Sequence, residues 1–357
     1  MTARKVAERV RADITRLSGA GLESSVQRSR VVARLQLAVP VDAVFFASCD
    51  PASLLFTGVT ADSVLLPLTP QFLRNEFLSN DVNKFRSLAG AASPVATLDR
   101  ATGGHRSQSA RYREILQPVR LGDEMRVALR VGGACWGFMC LHRAEGSGFD
   151  AGEIALIRDL SRSIAEGLRA SVLSACLSQP APAAPGVILL GADLQLEGAT
   201  AAGEALLEEL DWTKSSRTLP LPVLTAAARL QARDRGWDVA APTIRVLGRR
   251  GRWLAVHATH MLETDGGTRV TVIVEPARSE DFIPLMLTAH RLSRRESEVA
   301  GLVLKGQSTK QISRALRLSE NSVQDNLKAI FEKVDVHSRR ELAAYLQGQA
   351  QARQKPG

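Results

Sequence analysis

Three prolines in nine residues, in the stretch SQPAPAAPG at 178–186, rule out a continuous helix or a central strand there. A second interruption, EPARSEDFIPL at 275–285, follows an apolar run with prolines and mixed charge and reads as another break. A chain cut twice in this way must bury its apolar residues in separate regions. The 357 residues, 45% of them hydrophobic, are enough for three of ordinary size. No internal repeat is visible between these regions.

No run of about 18 apolar residues exists, so no membrane span is expected. The first residues, MTARKVAERVRADITRL, place Val6, Val10, Ile14 and Leu17 at helical spacing among charges, unlike a signal peptide. Cys49, Cys135, Cys140 and Cys176 are too few for a disulfide framework and fit a reducing compartment. A cytoplasmic location is expected. Thirteen Lys and Arg face seven Asp and Glu from residue 288 onward, a surplus of six in a net charge of +9. A basic end on a near-neutral body suits either a phosphate-binding module or a solvated surface.

In the first region VDAVFFASCD and SLLFTGVT read as strands around Asp50-Pro51. EMRVALRV and ACWGFMCLHR, joined by Gly132-Gly133, read as a hairpin whose turn needs positive φ. A closing helix carries Ile154, Ile157, Leu160, Ile164 and Leu168 on one stripe. This order, with CWGFMCLHR and GFDAGEIALI as its last pieces, resembles the GAF family of small-molecule sensor domains over 28–172. The resemblance implies an antiparallel sheet with helices on one face and a ligand pocket on the other. Phe45, Phe46, Phe56, Phe72, Phe77, Phe85, Phe138, Phe149 and Trp136 can line such a pocket or form ordinary core. The second region reads as strand, strand, helix at 201–210, long connection, hairpin and strand, with Ile244/Val246, Leu254/Val256 and Val270/Val272/Val274 alternating. It resembles a PAS-type α+β sensor domain, and a structural spacer reads equally from the pattern.

Catalytic signatures are missing: no GxxxxGK[ST], GxSxG or HExxH occurs, nor the acidic set of a phosphorylatable receiver. No enzyme activity and no cofactor is expected. Cys135 and Cys140, five apart on one strand, should point to opposite faces unless a bulge intervenes. His142 beside Arg143 reads as a surface or capped histidine, so with His105 and Cys49 it makes no convincing metal or haem set.

The last 70 residues are the most explicit. Ser293-Arg294-Arg295-Glu296 is a capping box opening a helix that carries Val299, Leu302 and Val303 inward and stops at Lys305-Gly306. Ser308 or Thr309 caps the next helix, with Ile312, Ala315 and Leu316 facing the core. Ser319 caps a third, on which Val323, Leu327, Ile330, Phe331 and Val334 form one apolar stripe, with Asn321, Asp325, Lys328 and Glu332 opposite and Ser322 and Gln324 on the flanks. Ser338-Arg339-Arg340-Glu341 is a further capping box, opening a fourth helix. The motifs LSRRESEV, GQSTKQISRALRLSENSV and LKAIFEKVDVHSRREL resemble the LuxR-type (GerE-like) helix-turn-helix over about 55 residues. The shared points are Arg295, Glu296, Val299, Gly306, Lys310, Ile312, Leu316, Ser319, Val323, Leu327, Ile330, Lys333, Val336, Ser338 and Arg339. Departures fall on the DNA side: Ser322 for Thr, Gln324 where Lys is common, Asn326 for His, and Asp335 for the Gly before Val336. Asp325 can accept a bond from cytosine N4 in a major groove, or be a surface acid paired with Lys328.

Together these readings give a multidomain α+β chain: an N-terminal helix at 1–27, a GAF-like domain at 28–172, a Pro-rich linker at 173–186, a PAS-like domain at 187–276, a linker at 277–287, an all-α four-helix helix-turn-helix at 288–350 and a tail at 351–357. The resemblance implies a transcriptional regulator that binds double-stranded DNA as a homodimer, with a small-molecule ligand in the GAF-like domain. Thr309, Lys310, Ser319, Asn321, Ser322, Gln324, Asp325 and Lys328 are the expected DNA contacts. The rival is a signalling adaptor or scaffold whose last domain no longer binds DNA.

Overall fold

The computed structural model describes residues 3–175, 184–216, 218–264 and 266–347. Cys176, most of the proline-rich stretch and the tail expected at 351–357 lie outside these residues. Two helices open the chain, α1 (Ala3–Gly19) and α2 (Ser24–Leu35), where one was expected. Gly21 at φ 57° turns the backbone between them, and the Glu23 carboxylate caps α2 by accepting the N–H groups of Ser25 and Val26.

The first sheet follows: β1 (Ala43–Cys49), β2 (Phe56–Ala61), helices α3 (Thr69–Leu78) and α4 (Phe85–Gly90), β3 (Val95–Thr97), the short α5 (Leu98–Ala101), then β4 (Leu121–Val131), β5 (Ala134–Ala144) and the closing α6 (Ala151–Ala175). All its neighbours are antiparallel, in the order β2-β1-β5-β4-β3. Gly132 and Gly133 take φ 62° and 77° at the β4–β5 turn, as the hairpin reading required. On one face Met125, Val127, Leu129, Trp136, Met139 and Leu141 pack with α1, α2 and α6; on the other lie Ala128, Phe138 and the rings of Phe56 and Phe85.

Contrary to expectation, Cys135 and Cys140 do not point to opposite faces. The ladder slips between Leu129 and Arg130, so that Leu129 opposes Gly137 and Arg130 opposes Cys135, and the extra residue returns Cys135 and Cys140 to the same face. Strict alternation of side chains along β5 ends at that bulge.

The second sheet is built from β6 (Gly186–Leu190), β7 (Leu196–Ala199), α7 (Ala201–Glu209), α8 (Leu221–Asp234), β8 (Thr243–Leu247), β9 (Trp253–Leu262) and β10 (Thr268–Pro276). Its order is β7-β6-β10-β9-β8, the same connectivity as the first sheet, so the architecture repeats although the sequence does not. The expected long connection contains α8, whose Leu221–Leu230 run is buried on every side. That helix packs on β9 of its own sheet and on β2 and α3 of the other, and one apolar cluster runs through both. The two regions therefore share a core, contrary to the picture of separate bodies.

The expected linker at 277–287 is mostly helix α9 (Ser279–Ala289), followed by α10 (Arg294–Leu304), α11 (Thr309–Leu316), α12 (Glu320–Val334) and α13 (Arg339–Leu346). The Asp281 carboxylate accepts the Arg278 N–H at 2.8 Å and starts α9; Pro284 inside it removes one backbone donor without breaking it. Apolar burial explains its survival. Leu285 and Ala289 join the core of the first sheet, while Met286 and Leu287 join that of the last four helices. Among the described residues no helix is long and apolar enough to cross a membrane.

Candidate nucleic-acid interface

Each of the last four helices is started by a side-chain cap. The Ser293 hydroxyl accepts the Glu296 N–H at 3.2 Å while Glu296 accepts the Ser293 N–H at 2.6 Å; Ser308 and Gln311 repeat the box on α11. Ser319 caps α12 by accepting the Ser322 N–H at 3.0 Å. On α13 only half of the expected box forms, because Glu341 reaches the His337 N–H instead of Ser338. Gly306 at φ 74° ends α10. Arg317 and Asp335 take the same left-handed conformation after α11 and α12, and Asp335 is the position where the resemblance has glycine.

Val323, Leu327, Ile330 and Val334 are buried along α12, with Phe331 half-buried beside them. On α11 Ile312 is buried and Leu316 half-buried, but Ala315 is exposed rather than inward. Asn321, Gln324, Asp325 and Lys328 stand exposed on α12, with Ser319 at its cap exposed and Ser322 half-buried; Lys310 is exposed on α11 and Thr309 half-buried. The fold thus gathers all eight expected contacts on α11 and the first three turns of α12.

Four of them are already engaged, the Ser319 and Ser322 hydroxyls with each other at 2.8 Å and Thr309 and Gln324 across the two helices. Gln324 Nε2 donates to Thr309 Oγ1 at 3.2 Å, and Arg339 Nη2 donates to the same hydroxyl at 2.7 Å while its Nη1 holds the Gln307 carbonyl at 2.9 Å. Arg339 therefore ties α13 to the start of α11, whose Thr309 hydroxyl it shares with Gln324 of α12, a role that a reading of contacts alone missed. Lys333 is a second structural cation, 2.6 Å from Glu296, across α12 and α10. Asp325 and Lys328 form no ion pair with each other, so the expected i, i+3 pairing is not made. Lys305, Lys310, Arg314, Arg317, Lys328 and Arg340 are all exposed and, among the described residues, unpaired. Glu320, Asp325, Glu332, Asp335 and Glu341 are likewise exposed and in no ion pair among the described residues, so these six cations exceed them by one, and the acids on α12 itself are Glu320, Asp325 and Glu332.

These helices are joined firmly to the rest. Arg291 pairs with Glu166 of α6, and Arg169 Nη1 donates to the Ala289 carbonyl at 2.5 Å. His290 bridges the Lys333 carbonyl at 3.1 Å and the Tyr345 hydroxyl at 2.9 Å. Further up, Arg245 of β8 grips Asp50 at the end of β1 with Nε at 2.8 Å and Nη2 at 2.6 Å, and its Nη1 holds the Asp281 carbonyl of α9 at 2.9 Å. One guanidinium thus links both sheets and the helix that leads to α10.

The expected aromatic pocket looks different in place. Phe45, Phe56, Phe72, Phe77, Phe85 and Phe138 pack on one another with centroids 4.5–6.5 Å apart, and Arg126 lies 4.4 Å over the Phe85 ring. Phe46, Phe149 and Trp136 belong to the opposite face. A cavity of about 230 Å³ remains at the edge of the rings, beside Glu76, Lys84 and Arg229. His142, expected at the surface, is buried with Glu124 and Cys140 within metal-ligand reach of one another. Electrostatics argue against a cation there: Glu124 Oε2 lies 2.8 Å from Arg111 Nε and 3.1 Å from Arg126 Nε. Burial opposes the Glu124 anion, yet these two guanidiniums hold its pKa far below the usual carboxylate range. Burial lowers His142 to about 4, so it is neutral at pH 7.

Residues 290–346 match the GerE family, described as bacterial regulatory proteins of the luxR family. The C-terminal helices are a LuxR-type helix-turn-helix domain. The monoamine regulon transcriptional regulator of Klebsiella aerogenes is 39% identical over 67 residues, which cover 19% of this chain and 27% of that protein. The chain therefore spans about a quarter of that relative's length. Among solved structures, Escherichia coli SdiA superposes over 96% of this chain and 98% of its own at 11% identity and a TM-score of 0.35. A phage VqmA–DPO complex covers 45% and 81% at 16% identity and a TM-score of 0.17. Both superpositions are loose, and the assignment rests on residues 290–346.

Proposed function

We propose, for a chain that ends in a LuxR-type helix-turn-helix domain, that α12 enters the major groove of duplex DNA and that the two-sheet region controls this as a sensor. The observation that carries the reading is the bare polar start of α12, with Asn321, Gln324, Asp325 and Lys328 exposed beside unpaired cations of α11 and α13. Lys310, the Thr309 and Ser322 hydroxyls and the capped end at Ser319 suit phosphates, as does Lys328. Asn321 and Gln324 have the amide chemistry that reads adenine, and Asp325 the acceptor that reads cytosine N4. Gln324 must release Thr309 to do so.

The common strand order of the two sheets supports reading 28–172 as GAF-like and 187–276 as PAS-like, with 288–350 as the DNA-binding unit and α9 carried across its edge. The regulator acts as a homodimer, as the resemblance implies, and not as an enzyme. Glu320, Asp325 and Glu332 on the same surface are what the adaptor reading has in its favour. Selection of bound fragments from a randomised duplex library separates the two. A regulator enriches one site, with preferences that change when Asn321 or Gln324 is replaced by Ala; an adaptor enriches none.

A further inference from the structure

A cavity of about 610 Å³ lies where the three parts of the molecule meet, between the start of α2, the ends of β1 and β2, the last turns of α6, the β8–β9 turn and α9. One wall holds Arg28, which is 4% exposed and bound only by hydroxyls: Nε to Thr60 at 3.2 Å, Nη1 to Ser24 at 2.7 Å and to Ser48 at 2.9 Å. Thr57, also at the wall, donates to Ser48 at 2.9 Å. No carboxylate among the described residues is ion-paired with Arg28.

The acids at this cavity are committed elsewhere. Glu23 caps α2, Asp50 is held in the fork of Arg245, and Asp211 lies 3.6 Å from Arg249. Burial brings the Arg28 pKa down to about 10, against the pull of Glu23 and Asp211, so it stays charged at pH 7. A buried cation without its own counter-ion is costly, and an entering anion would relieve that cost. Leu168, Val172, Trp253 and Leu285 supply the apolar side of the same cavity.

We propose that this seam binds a small organic carboxylate, its charge on Arg28 among the Ser24, Ser48 and Thr57 hydroxyls and its apolar body against Leu168, Val172, Trp253 and Leu285. The volume lies within the ordinary range for small-molecule sites. The site is distinct from the aromatic face of the first sheet. Leu285 belongs to α9, whose next two residues enter the core of the DNA-binding helices, so an occupant touches the element that carries them.

Calorimetric titration of the full chain with naphthalene-2-carboxylate and with its neutral amide tests this. The carboxylate binds saturably and at least about tenfold tighter than the amide. Arg28→Gln brings the two to parity, and Val172→Trp, which fills the apolar side, removes both. Should Arg28→Gln fail to fold, the wild-type comparison and Val172→Trp decide the matter. Equal binding of the two probes, no saturation by about 5 mM carboxylate, or unchanged binding in Val172→Trp overturns the site. No DNA enters the assay, so this site and the DNA-binding reading fail separately.

Discussion

Replacing Arg245 by Met keeps the length of the side chain and deletes its charge. In the native protein the Arg245 side chain is 10% and that of Asp50 2% exposed, and two guanidinium N–H groups meet two carboxylate oxygens at 2.6 and 2.8 Å. Removing one partner of a buried pair costs about 3–5 kcal/mol, because the other charge stays buried. Asp50 would keep two backbone donors, Ala52 N at 3.0 Å and the N–H of residue 245 at 3.1 Å, which places the expected loss near the lower figure, about 3 kcal/mol. Urea unfolding followed by tryptophan fluorescence measures it, with Asp50→Asn and the double variant completing a cycle. A coupling energy of about 2–3 kcal/mol is expected, since each single change strands the same partner. Because Arg245 also holds the Asp281 carbonyl, Arg245→Met should also raise hydrogen exchange at the start of α9. A loss below about 1 kcal/mol with an unchanged urea slope would refute the reasoning, for it would mean that the pair is solvated.

Asp335→Gly should stabilise the C-terminal helices by up to about 1 kcal/mol, because residue 335 sits at φ 60° and ψ 51°, and a lower melting temperature would contradict this. His142 is buried neutral: its pKa lies below the unfolded value, so its contribution is complete above pH 6.5 and is lost as pH falls from about 6.5 towards 4, by up to about 3 kcal/mol. In His142→Leu that part of the acid slope should vanish, and an unaltered slope would assign it to other groups. Asp325→Ala should cost about 1–3 kcal/mol at a single base pair if the carboxylate reads cytosine. A uniform gain over all sequences would leave Asp325 as a brake on affinity.

The helix-turn-helix was legible in the sequence because its signals are local: Ser293, Ser319 and Ser338 cap helices within four residues, and a five-member stripe marks one face of α12. The strands of the second sheet were legible for the same reason, Ile244/Val246 and Val270/Val272/Val274 alternating as they pack. Helix α8 was not, since LPVLTAAARL is enclosed on all sides and so carries no amphipathic period. Pro284 made α9 look like a break, although Leu285, Met286 and Leu287 bury themselves in two cores at once. On β4 the charges of Glu124 and Arg126 alternate with Met125 and Val127, which would ordinarily mark a solvated face. Tertiary packing of α3 and α4 covers that face, where Arg111 pairs with Glu124 and Glu76 of α3 pairs with Arg126.

Fluorescence anisotropy of a labelled duplex titrated with the full chain, between about 50 and 200 mM salt, tests the central claim most directly. Each phosphate contact contributes about −0.9 to the slope of log K against log salt, so several of the six unpaired cations acting together give a slope of about −3 to −5. Lys328→Ala should flatten that slope by about 0.9 while the helices stay folded. Absence of binding at about 50 mM salt, or a slope near zero with the helices intact, would contradict a DNA-contacting α12.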